Sequence, residues 1–117
     1  MASAIRWTLP GSGQGKGLNH NIPLDPGDGD DEMVEAVDQL TSLVTATGCE
    51  AMVVSLGVDS GVADENSPLL VNEEGFSRVG EILGSVGLPT VLVHEGGYHL
   101  PSLERDLTAL LDGFQAS

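Results

Sequence analysis

Ala51-Met52-Val53-Val54-Ser55-Leu56 is a short apolar run without alternation, closed by Gly57-Val58-Asp59. A strand with one face in water alternates apolar and polar residues, so an unbroken run suits a parallel strand covered on both faces. A second run of this kind, Thr90-Val91-Leu92-Val93, opens after Pro89 and closes on His94-Glu95-Gly96-Gly97-Tyr98-His99. Two parallel strands need a crossover, and the residues between them supply a helix. Asn72 stands at its N-cap, Glu73 and Glu74 fill its first turn, and Phe76, Val79, Ile82, Leu83 and Val86 form its inner face before Gly87.

Outward from this unit the pattern repeats. The spacing of Met33, Val37, Leu40 and Val44 predicts an amphipathic helix over 30–47, with Asp30, Asp31 and Glu32 at its positive end and Gly48 as its stop. A last helix begins at Pro101 and carries the stripe Leu103, Leu107, Leu110, Leu111 and Phe114. Upstream, Leu18-Asn19-His20-Asn21-Ile22-Pro23-Leu24 alternates and predicts a short strand, with Pro23 confining it to an edge or a strand end. The expected order is βαβαβα: an α/β fold in three αβα layers around a short parallel sheet. Residues 1–17 form a Gly/Pro-rich N-terminal stretch, and 18–117 form the α/β segment.

The chain has 117 residues, enough to bury a core without disulfides or metal staples. Lys and Arg total 4 against 18 Asp and Glu, a formal charge of −14. Such a surface opposes binding to nucleic acid, which needs a basic face, and to anionic membrane surfaces. It attracts a cationic small molecule, although solubility alone also accounts for it. The single Cys49 forms no internal disulfide, Met1–Trp7 lacks a signal-peptide pattern, and no apolar run is long enough to span a bilayer. A cytoplasmic location is the expectation.

In open parallel sheets the functional groups gather just past the carboxyl ends of the strands. Here those loops hold Asp59 and Asp64 after the first run, and His94, Gly96, Gly97, Tyr98 and His99 after the second. Neighbouring strands would bring Asp59 and Tyr98 to one rim. A carboxylate in that place serves as a metal ligand, as a general base or as a cap for its own loop. Tyr98 follows a glycine pair that permits a sharp turn, so its phenol can donate to an oxyanion or act as an amphipathic rim aromatic. The Gly11–Gly17 stretch is not a phosphate loop: Pro10 and Gly17 stand where that pattern needs glycine and Ser or Thr. His20, His94 and His99 form no spaced metal motif; His94 and His99 flank the glycine turn and reach the rim.

Val53-Val54-Ser55-Leu56-Gly57-Val58-Asp59, then Asp64, then Glu95-Gly96-Gly97-Tyr98, resemble in order and spacing the C-terminal part of the zinc-dependent deacetylase family. That family includes histone deacetylases, acetylpolyamine amidohydrolases and acetoin-utilisation proteins, and has the arginase/deacetylase fold. Gly15-Lys16-Gly17-Leu18-Asn19-His20-Asn21-Ile22-Pro23-Leu24 is similar to the family's glycine-rich loop and the strand after it. Similarity runs from about Gly11 to Phe114, and Ser55–Asp59 points to the acetylpolyamine branch.

The resemblance implies that Asp59 matches the second aspartate of an Asp-His-Asp zinc site. It implies that Tyr98 matches the tyrosine that polarises the amide carbonyl, with Gly96 and Gly97 as its supporting turn and Asp64 as a structural loop acid. The family's paired catalytic histidines and its Asp-x-His motif are not found here. One carboxylate does not fix Zn²⁺, which takes several protein ligands and an open position for water. The expectation is a truncated deacetylase-like protein, incomplete as a zinc amidohydrolase: a non-catalytic, homo-oligomeric or interaction module with no cofactor in the isolated chain. The alternative is an amide hydrolase whose zinc site is rebuilt between protomers or completed by a chain supplying the missing N-terminal segment. Loss of that segment is expected to expose a strand edge and apolar helix faces, such as the Leu103–Phe114 stripe.

Overall fold

The computed structural model describes residues 11–65 and 67–117. The first ten residues of the 1–17 stretch, Met1–Trp7 among them, lie outside the described residues. The described elements are α1 (Asp30–Ala46), β1 (Met52–Leu56), α2 (Glu73–Gly84), β2 (Thr90–His94) and α3 (Leu100–Gln115), with a single 3-10 turn at Gly13–Gly15. β1 and β2 pair in parallel, Met52 opposite Thr90 and Leu56 opposite His94, with α2 in the crossover. Among the described residues no helix is long and apolar enough to cross a membrane.

The α/β fold with a short parallel sheet is present, but its first expected strand is not. Residues 18–24 join no ladder, and the order becomes αβαβα. Pro23 has no N–H to donate, and Leu18 is 75% exposed, so the segment lacks the burial that would hold it in a sheet. Ile22 and Leu24 stay half-buried, a remnant of the alternation.

Packing settles on one side of the sheet. Met52 and Leu56 are buried, with Val54 and Leu92 packed against the same cluster. Helix α1 adds Met33, Val34, Val37 and Val44; α2 adds Phe76, Val79 and Leu83; α3 adds Leu103, Leu107, Leu110 and Phe114. All three helices thus share one core with one face of the strands. On the opposite face Val53 is 70% exposed, Val91 58% and Val93 40%. The three-layer arrangement is represented here by its sheet and one helical layer.

The strands are therefore not covered on both faces, which corrects the reading of their unbroken apolar runs. The α3 stripe is also corrected: Leu110 is buried, and Leu103, Leu107 and Phe114 are packed, leaving only Leu111 among the exposed. The reason is the close approach of α2 and α3. A β-carbon on Gly80 would collide with the Leu110 carbonyl, one on Gly84 with the Phe114 carbonyl, and one on Gly113 with the Ser77 carbonyl. Three glycines let the helix backbones meet and the leucines interleave.

The start of α2 is also set by tertiary structure. Asn72 occupies the N-cap without a side-chain cap bond. Its own N–H instead donates to Asp30 Oδ1 at 2.7 Å, tying the beginning of α1 to that of α2 across the fold. Gly75 accommodates that carboxylate, which lies where its β-carbon would be.

Candidate functional site

The parallel pairing of β1 with β2 puts both following loops at one end of the sheet. Glu95 N–H donates to Leu56 O at 2.8 Å, and Val58 N–H to Gly96 O at 2.9 Å, so the two loops continue the ladder past the strands. Val58, 3% exposed, anchors the first loop in the core. The same loop is held further on by Val71 N–H to Ser60 O and by Val62 N–H to Val71 O. The rim is thus a hydrogen-bonded extension of the fold.

Asp59 leaves this rim with its side chain over Gly96. A β-carbon at Gly96 would lie 2.8 Å from Asp59 Cγ and 2.8 Å from its Oδ2. The carboxylate makes no hydrogen bond among the described residues and Asp59 is exposed, so it is not the cap of its own loop. Gly97 has φ 147°, in the region open to glycine, and a β-carbon there would run into Leu103 and Val58. That turn delivers Tyr98, 63% exposed, beside Glu65, His99, Leu100 and Pro101.

The structure brings Asp59, Gly96, Gly97, Tyr98 and Asp64 together and gives the histidines other work. His94 Nε2 is 3.2 Å from Gly96 O, a contact that requires the proton on that nitrogen. His99 is the N-cap residue of α3, with Nδ1 2.8 Å from the hydroxyl of buried Ser102. Asp64, only 5% exposed, accepts the Tyr98 N–H on Oδ2 at 2.7 Å. Nothing in the sequence signals this bond, because its partners are 34 positions apart.

Among the described residues no group of His, Cys, Asp and Glu could hold a metal ion. The residues present do not fit a zinc site: Asp59 offers one exposed carboxylate, and His94 and His99 are engaged elsewhere. The described residues thus bring to one rim a phenol, which can donate a hydrogen bond, and a carboxylate, which can accept one.

Comparison with known proteins identifies the family of the chain. Residues 6–114 match the family model of the histone deacetylase domain, and the chain belongs to that family. It is 39% identical over 106 residues to an acetylpolyamine amidohydrolase of Burkholderia pseudomallei (strain 1710b), covering 91% of this chain and 31% of that protein. It is 33% identical over 107 residues to histone deacetylase 8 of Xenopus laevis, covering 88% of this chain and 33% of that one. The crystal structure of acetylpolyamine aminohydrolase from Burkholderia pseudomallei superposes with a TM-score of 0.87 at 38% identity, over 92% of this chain and 31% of that one. An HDAC homolog from Aquifex aeolicus superposes with a TM-score of 0.79 at 29% identity, over 93% and 30%. The chain therefore spans less than a third of the length of the acetylpolyamine amidohydrolase it matches.

Proposed function

We propose that this chain works by association. By itself it is a deacetylase-type unit without hydrolase activity, an interaction module whose bare sheet edge takes up the polypeptide that completes the fold. In the completed assembly Asp59 and Tyr98 serve a metal-dependent amide hydrolase of acetylpolyamine or acetyl-lysine type.

The observation that carries this reading is an intact rim beside an incomplete sheet. Met52 N–H donates to Pro89 O and Leu56 O accepts from Glu95, so Met52, Val54 and Leu56 turn their main chain toward β2. Val53 and Ser55 then direct theirs to the other edge, where the sheet has no further strand among the described residues. A groove of about 380 Å³ follows that edge, lined by Val37, Leu40, Val44, Val53, Ser55 and Ser60 among others. A parallel strand added there would end at the rim of Asp59, where its own loop would contribute to the same centre.

Within that centre Asp59 supplies one carboxylate ligand. Tyr98 supplies a hydrogen bond to the oxyanion that forms when the amide carbonyl is attacked. The charge of −14 favours a cationic substrate such as an acetylated polyamine. The unpaired Cys49 supports a cytoplasmic setting.

The test is co-expression with a polypeptide spanning the part of the Burkholderia pseudomallei relative that this chain does not match. The expected result is co-purification and hydrolysis of an acetylated polyamine, lost with Asp59→Ala and with Tyr98→Phe. The chain alone should retain no more zinc after desalting than Asp59→Ala does. Near-stoichiometric zinc in the chain alone, absent from that variant, would mean a site rebuilt between protomers and would overturn the reading.

A second copy is the other occupant the edge admits, and the uncharged valines of the bare face favour it. Sedimentation of the chain alone is expected to show a homo-oligomer, and a monodisperse monomer would remove this second reading.

A further inference from the structure

We propose that Asp64 is a positioning residue for Tyr98, coupling the loop that carries Asp59 to the turn that presents the phenol; this rests on the functional reading above. Asp64 belongs to the first loop through its main chain: its N–H donates to Gly61 O at 3.0 Å, and its own carbonyl accepts from Ser67 at 3.2 Å. Its side chain reaches the second loop, where Oδ2 accepts the Tyr98 N–H at 2.7 Å.

That bond falls where the second loop most needs support. Gly96 and Gly97 are the most pliable residue type, and Gly97 adopts a φ of 147°. The Tyr98 side chain is exposed and makes no hydrogen bond among the described residues, so the place of its phenol depends on its main chain. Charge-assisted bonds to a carboxylate are short and strong. A buried carboxylate is also a costly way to hold a loop, because its charge leaves water. A buried carboxylate that accepts the Tyr98 N–H fits a demand for precise placement, since packing alone would be met by an uncharged residue.

Amide hydrogen exchange of the chain itself, read by NMR, tests the inference. Asp64→Ala should speed exchange of the Tyr98 N–H by about 10-fold or more, while amides of β1 and β2 keep their rates. Asp64→Asn, which retains a carbonyl oxygen in that place, should recover most of the protection. Tyr98 is the sole tyrosine of the sequence, so its ring resonances report the phenol directly and should shift in Asp64→Ala. An unchanged Tyr98 amide in Asp64→Ala would overturn the proposal. So would an equal loss of protection throughout both strands, since Asp64 would then simply hold the fold.

In the co-expressed assembly, Asp64→Ala should lower kcat and leave KM close to that of the parent, and an unchanged kcat would also overturn it. An assembly already inactive with the parent sequence would sink the functional reading, while the exchange rates would still decide the role of Asp64.

Discussion

The carboxylate of Asp59 rests on the α-carbon of Gly96, so that a β-carbon added there would stand 2.8 Å from Asp59 Cγ. The carboxylate proposed above as a metal ligand and the turn that presents the phenol are therefore packed against each other.

Gly96→Ala should accordingly act on both. Either the Asp59 side chain swings away or the turn backs off, straining the bond from Val58 N–H to Gly96 O. The expected cost is about 1–3 kcal/mol, as for other overpacked sites. Urea denaturation measures it, and a change in the Tyr98 ring resonances should accompany it. A variant as stable as the parent, with an unmoved tyrosine, would mean that the contact is loose.

Gly80→Ala gives a prediction whose sign discriminates. In an exposed helix interior this change stabilises by about 1 kcal/mol. Here the new methyl would run into the Leu110 carbonyl of α3, and the two helices would have to part. The expected outcome is destabilisation by about 1–3 kcal/mol, seen as a lower urea midpoint. Stabilisation would contradict the packing of α2 on α3.

Val53→Lys separates folding from association. The side chain is 70% exposed on the bare face, so unfolding of the monomeric chain should change by no more than about 0.5 kcal/mol. A charge beside an open strand edge opposes the pairing of further strands. Oligomers of the chain, and its co-purification with a completing polypeptide, should both be lost in sedimentation and pull-down measurements. Association unaffected by the lysine would locate the interface elsewhere.

Most of the elements were legible because their causes are local. The stripe from Met33 to Val44 and the stop at Gly48, with φ 73°, determine α1. The two apolar runs determine β1 and β2, and the intervening helix requires them to be parallel. That Asp59 and Tyr98 share a rim follows from this topology, while the likeness to the deacetylase family was legible in the loop residues themselves. Local rules failed at residues 18–24, whose alternation describes a strand only when a neighbour exists to pair with it.

What the tertiary structure decided are relationships between distant positions. The apolar runs carry valine on both faces, so composition does not reveal that one face packs on three helices while Val53, Val91 and Val93 stay bare. The glycines at 80, 84 and 113 read as weak helix formers until the approach of the opposite backbone shows their use. The N-cap place of Asn72 predicts a bond from its side chain to α2; Asp30, from 42 positions away, binds its N–H instead. Asp64 holding Tyr98 is of the same kind: a short hydrogen bond depends on where two loops meet in space, and periodicity along the chain carries no record of it.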